Sequence, residues 1–398
     1  MQEGSGSFMS RKERIAELDL IRGFAFLAVV YQHVIGIFIR EQGLSTQTAI
    51  VYGMLFHLLK FAVPAFIFIT GLVLFYNYCE KVNYIGFMRK RVTEILVPYG
   101  IWSAIYMSLQ TWPQGWESSF FRTVIKNLVT GTSSYHLWFV VMIFQFYLLY
   151  PLWQKLFRFL HRLVVNRTRF VVVGALLAFV YGGLMWFSAR YIPAHMADFG
   201  GGPLELYMIK YRDRNAFYYF FYFLLGGVAA VALPAFRAWI GKRWMWIAAA
   251  FCLLYGWIGY ELLQVFASGS ISLNVATSLK PSMFLYTVAS LLGVYGLALL
   301  IGKKQLAVTH WLSLVGKYSY GAYLMHALVL TYLMKAVRGI GLFHTGVIGS
   351  LVVFVLCAAV SFFLSYGLGR LPFGALLVGA AEKKRVSEPA KKQLPHAG

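Results

Sequence analysis

The stretch 17–38, ELDLIRGFAFLAVVYQHVIGIF, decides the class of this chain. From Leu18 to Phe38 it reads as a membrane span, because a span needs about 20 mostly apolar residues. Yet Asp19, Arg22 and His33 interrupt it. An Arg or Asp at a helix centre costs roughly 2.5–3.5 kcal/mol on insertion scales, so something must offset that cost. Arg22 and His33 stand eleven residues apart, about three helical turns or about 16 Å at 1.5 Å rise per residue. Three turns return both side chains to nearly the same face. Imidazole is the side chain best poised to take a proton near neutral pH, and a guanidinium suits a phosphate or carboxylate. The pair has the composition of a site, whereas a lone arginine would snorkel to the interface and a lone histidine could be satisfied by a neighbouring helix.

The rest of the chain repeats the apolar pattern. Of 398 residues, 60% are hydrophobic and 13% charged, against about 25% charged in a soluble domain; the mean hydropathy is +0.66. The reading is an all-α polytopic membrane protein of about ten transmembrane helices, near 18–39, 51–78, 95–112, 136–153, 170–187, 216–233, 244–263, 283–301, 318–337 and 347–368. Residues 1–17 form an N-terminal segment, 18–368 a membrane domain, and 369–398 a basic tail whose polar end, EKKRVSEPAKKQLPHAG, is expected to be disordered. Arg22 breaks what would be the apolar core of a cleavable signal. Cys79, Cys252 and Cys357 have neither disulfide nor metal spacing, and no metal constellation is expected.

The net charge of +22 is explained by topology. With the N-terminus inside, the inner segments carry 24 Lys and Arg and the outer loops 10, so both termini are expected in the cytoplasm. The remaining attraction is to anionic lipid, with no basic stripe that requires nucleic acid.

Four further stretches carry polar signals. FMRKRVTEILVPYGIW (87–102) places Arg89, Lys90 and Arg91 at the start of a span; such a cluster is an ordinary topogenic signal or a clamp for phosphates. KFAVPAFIFITGLVLFYN (60–77) holds Thr70-Gly71, where small residues let helices approach closely. SSYHLWFVVMIFQFYLLYPLW (133–153) opens a span with His136 and Trp138, the latter an interfacial anchor type. GKYSYGAYLMH (316–326) sinks His326 into the ninth expected span, where it either faces the His33 cavity or makes a structural hydrogen bond.

In this order, LDLIRGFAFLAVVYQH, VPAFIFITG, FMRKRVTEILVPY, HLWFVVMIFQFYLLYPL and SYGAYLMH resemble the membrane acyltransferases of the acyltransferase 3 family, from about Glu17 to Leu368. With FYYFFYFLLGG, they are most similar to the branch of polysaccharide intercellular adhesin synthesis, described both as an exporter and as an O-acylase (succinyl transfer) of poly-N-acetylglucosamine. The resemblance implies a ten-helix acyl-transfer domain, with Arg22 and His33 as the functional Arg-x10-His pair and Arg89 and Arg91 as the Arg-x-Arg that handles the donor, commonly an acyl-CoA. Thr70-Gly71 stands where the family usually has Ser-Gly; the hydroxyl survives. No hydrolase-like domain follows the tenth expected span, so a second-stage transfer would need a separate partner.

The resulting expectation is a bacterial cell-membrane O-acyltransferase that moves an acetyl- or succinyl-class group from cytosolic acyl-CoA, a co-substrate and not a resident cofactor, to a hydroxyl of a surface glycan or glycolipid. Arg89, Arg91 and Arg22 would hold donor phosphates. His33, oriented by Asp19 or another helix, would be base or acyl acceptor, and His136, Trp138, His326 and Thr70 would bind substrate. Asp19 lies one turn from Arg22 and pairs more naturally with it. A polysaccharide synthase or extracytoplasmic transferase is an expected partner. The competing class is an exporter or flippase of a surface polysaccharide. Against it, the sequence has no inverted repeat with paired broken helices.

Overall fold

The computed structural model describes residues 14–41, 43–80, 82–111, 120–196, 199–202, 205–267, 277–304, 306–339 and 346–379, and among them there are helices and no strands. The chain opens with α1 (Glu17–Phe38). A three-residue turn, Leu59–Phe61, joins α2 (Thr46–Leu58) to α3 (Ala62–Tyr78). A π-helical turn, Val92–Leu96, joins α4 (Tyr84–Arg91) to α5 (Val97–Thr111). Then come α6 (Phe120–Thr130), α7 (Trp138–Leu148), α8 (Tyr150–Leu163) and α9 (Arg167–Trp186). The last third holds α10 (Phe220–Val231), α11 (Leu233–Ala267), α12 (Pro281–Lys304), α13 (Ala307–Gly339), α14 (Val347–Leu368) and α15 (Gly374–Val378).

Among the described residues each of the ten expected spans overlaps helix, but not all are equal. Among the described residues, seven helical stretches are long and apolar enough to cross a membrane, or up to 8 if the bent pair α7–α8 is one span. The expected 216–233 span is the shorter apolar helix Ala216–Val231. The expected 318–337 span lies within α13, 33 residues long, whose apolarity is diluted by Lys317, Ser319, His326 and Lys335. α7 and α8 bend by 62°; Pro151, in the first turn of α8, has no N–H to continue the ladder.

Two glycine-lined seams set the positions of the side chains that matter. A Cβ on Gly71 of α3 would sit 2.1 Å from the Phe223 carbonyl oxygen of α10, and a Cβ on Gly226 would sit 2.2 Å from the Phe68 carbonyl oxygen of α3. Thr70-Gly71 is therefore one half of a reciprocal backbone contact. Likewise, a Cβ on Gly316 of α13 would meet the Asp19 carbonyl oxygen at 1.8 Å. That contact draws α13 against α1 and brings Lys317 to the level of Asp19 and Arg22. Lipid tails are as apolar as leucine, so close packing of small residues is what holds such helices together.

The π turn after Arg91 has a local cause: Pro98 lacks the N–H that would bond the Glu94 carbonyl. Tyr320 of α13 donates its hydroxyl to the nearby Ile95 carbonyl at 2.7 Å. Residues 369–379, the start of the tail read from the sequence, include α15, whose Leu377 carbonyl accepts from Trp102 Nε1 at 2.9 Å. The apolar run GALLV gives this turn a face to bury, which the charged residues beyond it lack. The polar end of the tail lies outside the described residues.

Candidate active site

Two cavities open along α1. The first, about 270 Å³, lies near its N-terminal half and is lined by Arg22, Thr70, Arg91, Lys317 and Tyr147. Arg22 is positioned by Asp19, whose buried carboxylate accepts from Arg22 Nη1 at 2.9 Å and from Arg14 at 2.6 Å. Arg91 is held from several sides: its side chain is 15% exposed, Nη1 lies 3.3 Å from Glu94, and the guanidinium sits over the rings of Phe87 and Tyr147 at 5.3 and 5.2 Å. Its Nε is buried with no hydrogen-bond partner among the described residues. Buried polar groups in native structures are rarely unpaired, and this donor lies on a side chain that lines the cavity.

The second cavity, about 470 Å³, is lined by His33, His136, Trp138, Lys60 and Gln32, with Lys210, Arg212 and Asp213 from the segment before α10. Gly131 shapes its approach. With φ +68, and Trp138 Cα 2.6 Å from where a Cβ would stand, only glycine lets residues 131–137 fold back onto α7 and present His136. Gln145 of α7 then anchors the 206–216 segment: its amide donates to the Arg214 carbonyl at 2.8 Å, and its oxygen accepts from Ala216 N at 3.0 Å and from the Tyr207 hydroxyl.

Three histidines from three helical regions meet here. His33 stacks on His326 at 5.2 Å and meets Tyr135 edge-on at 4.8 Å; His326 in turn meets His136 at 4.7 Å. Buried His326 hydrogen-bonds the Tyr323 carbonyl through Nδ1 at 2.5 Å. A carbonyl only accepts, so Nδ1 carries the hydrogen and Nε2 is a lone-pair nitrogen; it has no partner among the described residues. His136 Nδ1 lies 3.1 Å from Ser134 Oγ, its carbonyl accepts from the Tyr323 hydroxyl, and its Nε2 is likewise unpartnered. His33 has ring contacts and no side-chain hydrogen bond among the described residues. Its imidazole faces the cavity with both nitrogens uncommitted. Among the described residues no three His, Cys, Asp or Glu side chains converge as a metal site; the imidazoles meet ring to ring.

The two cavities share a wall. Phe66, Phe139 and Tyr323 line both, with Phe139 packed against Phe66 at 5.7 Å and against Tyr323 at 5.8 Å. Arg22 opens on one side of this aromatic partition and His33 on the other.

Several expectations need correction. Asp19 does not orient His33; it is fourteen residues away on the same helix and is committed to Arg14 and Arg22. Of the Arg-x-Arg pair, only Arg91 lines the cavity, while Arg89 is exposed, because side chains two apart on a helix point to different faces. Thr70 lines the arginine cavity and not the histidine one, with its hydroxyl donated to the Phe66 carbonyl at 2.8 Å. His326 supports His33 from behind and does not line the cavity. His136 and Trp138 do line it. Sequence reasoning missed Tyr135, Tyr323 and Lys317. Tyr135 stands beside His136 in SSYHLW, and Tyr323 and Lys317 lie in the GKYSYGAYLMH stretch, so the motifs were in view but not their faces.

The sequence matches the acyltransferase-domain profile of the acyltransferase 3 family over residues 15–370. The chain belongs to the acyltransferase 3 family. It is an acyltransferase, and its apolar helices make it a multi-pass membrane protein. A relative in Bacillus subtilis (strain 168), named "Putative membrane-bound acyltransferase YfiQ", is 26% identical over 97% of this chain and 100% of the relative. No solved structure matches the chain. The family match spans the residues named as lining both cavities, from Arg22 to Tyr323, and His326 behind them.

Proposed function

We propose that the protein is a cell-membrane O-acyltransferase that takes an acyl group of the acetyl or succinyl class from cytosolic acyl-CoA and transfers it to a hydroxyl of a surface glycan. The observation that carries this reading is the aromatic partition. It separates a cationic cavity from a histidine cavity, with Arg22 and His33 about 16 Å apart along one helix. That layout suits a donor whose charged head and reactive carbonyl are joined by a long flexible arm. Phosphates would rest against Arg91, Arg22 and Lys317, and the arm would pass between Phe66, Phe139 and Tyr323.

His33 then acts as general base. Its free nitrogen takes the proton of the acceptor hydroxyl as the oxygen attacks the thioester carbonyl. Collapse of the tetrahedral intermediate breaks the C–S bond, and the proton passes from imidazolium to the departing CoA thiolate. General-base assistance of this kind is worth about 10²–10⁴-fold. The buried His326 ring fixes the plane of His33, and the aromatic wall keeps water from the thioester. The positive-inside distribution supports cytoplasmic termini and, with them, a donor side at the arginine cavity. Ten crossings follow if α7–α8, Ala216–Val231 and α13 each cross. The intercellular-adhesin branch supplies one candidate acceptor, poly-N-acetylglucosamine, and a synthase or extracytoplasmic transferase would be the partner.

The test is a gene disruption read by mass spectrometry of surface glycan. Loss of acyl groups with glycan amount unchanged supports the transferase; loss of exported glycan itself would overturn it in favour of an exporter.

A further inference from the structure

The histidine cavity carries more positive charge than its surroundings neutralise. Lys60, Lys210 and Arg212 line it, against one acid, Asp213. Lys60 sits in the turn between α2 and α3, inside a stretch otherwise apolar enough to cross the membrane. Its Nζ lies 4.7 Å over the Phe56 ring, and among the described residues it has neither a hydrogen bond nor an ion pair. The acid Glu261 lies outside the cavity lining and is committed to Lys280 at 2.5 Å and Ser282 at 3.1 Å. Arg212 commits Nε to Ser188 and Nη1 to the Ile209 carbonyl, and among the described residues its remaining terminal nitrogen has no hydrogen bond. Asp213 has Arg214 at 3.9 Å.

An ammonium without a counterion in a membrane-embedded wall is costly and marks a substrate path, and Lys60 shares that wall with His33. We infer that this cavity is an anion subsite: the group positioned beside His33 bears a carboxylate or phosphate, recognised by Lys60 with Arg212 and Lys210. This rests on the acyl-transfer reading and adds a substrate class to it. The negative charge can belong to an acidic sugar of the acceptor or to a dicarboxylic acyl group. Both present the same chemistry to the lysine.

The experiment uses the full chain in lipid nanodiscs, wild type, Lys60→Met and Lys60→Arg. Acceptors are p-nitrophenyl β-D-glucuronide and the uncharged p-nitrophenyl β-D-glucoside; donors are acetyl-CoA and succinyl-CoA. Hydrogen bonds to a charged group contribute about tenfold to a hundredfold in discrimination. If the charge lies on the acceptor, wild type prefers glucuronide over glucoside by at least about tenfold in kcat/KM with acetyl-CoA. Lys60→Met brings that ratio close to one, and Lys60→Arg keeps most of it. If the charge lies on the acyl group, the succinyl-to-acetyl ratio on glucoside behaves in the same way. Acetyl transfer to glucoside with both ratios indifferent to Lys60→Met overturns the anion subsite and leaves the transferase reading standing. Should wild type acylate neither sugar, equilibrium binding of the two glycosides decides. Tighter glucuronide binding that Lys60→Met abolishes upholds the subsite, and equal binding overturns it.

Discussion

Gly71→Ala tests whether the reciprocal glycine contact between α3 and α10 sets the geometry of both cavities. The added Cβ would stand 2.1 Å from the Phe223 carbonyl oxygen and 2.9 Å from its carbonyl carbon. Both partners are helix backbone, so no side chain can swing away. Carbon–oxygen contacts below about 3 Å are essentially not tolerated, so α3 must retreat from α10 by about 1 Å; overpacking of this kind costs about 1–3 kcal/mol. The retreat moves Phe66 and Thr70, which line the cavities from the same helix. A misplacement of about 1 Å can cost about 10²-fold in rate. The control is Gly174→Ala in α9, where nothing lies within 4 Å of the new Cβ; helix propensity there favours alanine by up to about 1 kcal/mol. Purified variants would be compared by thermal unfolding in detergent and by acyl transfer from radiolabelled acyl-CoA. Gly71→Ala is expected to unfold several degrees lower and lose most activity, and Gly174→Ala to match or exceed wild type. Equal unfolding midpoints and equal activities would refute the reasoning.

Arg91→Ala should raise the apparent KM for acyl-CoA by about tenfold or more, with Arg91→Lys rescuing only in part because an ammonium has no planar fork; exposed Arg89→Ala should shift it by less than about threefold in the same titration. Asp19→Asn frees Arg22 from its anchor, so it should weaken donor affinity and leave acceptor KM unchanged, which a two-substrate kinetic matrix would reveal. In a background with Cys79, Cys252 and Cys357 replaced, Lys210→Cys should react with an impermeant thiol reagent from outside intact cells and Lys242→Cys should not; the reverse pattern would invert the donor and acceptor sides.

The helical membrane class was legible because it depends on composition and on windows of about 20 residues, both local properties. The Arg22–His33 pairing on one helix was legible for the same reason: spacing along a helix fixes face and height. What remained hidden depends on contacts between distant segments. That His326 stacks behind His33 requires α13 to pack on α1, and the seam that does so, Gly316 against the Asp19 carbonyl, pairs residues nearly three hundred positions apart. Arg89 and Arg91 looked equivalent as a motif and differ because the helix presents one to the cavity and one to solvent. Lys60 was visible as a charge in an apolar run, but its place in the wall of the His33 cavity depends on how α2, α3 and the 206–216 segment come together.

The central claim is that His33 is the base, across the aromatic partition from the arginine cavity. The most direct measurement is single-turnover transfer from radiolabelled acyl-CoA by His33→Gln in nanodiscs, at matched expression and unfolding midpoint. Glutamine keeps hydrogen-bonding capacity but cannot take a proton at neutral pH. The account predicts a transfer rate at least about two orders of magnitude below wild type, with acyl-CoA binding at the Arg91 cavity retained. A rate equal to wild type would contradict it and leave His33 as a packing residue.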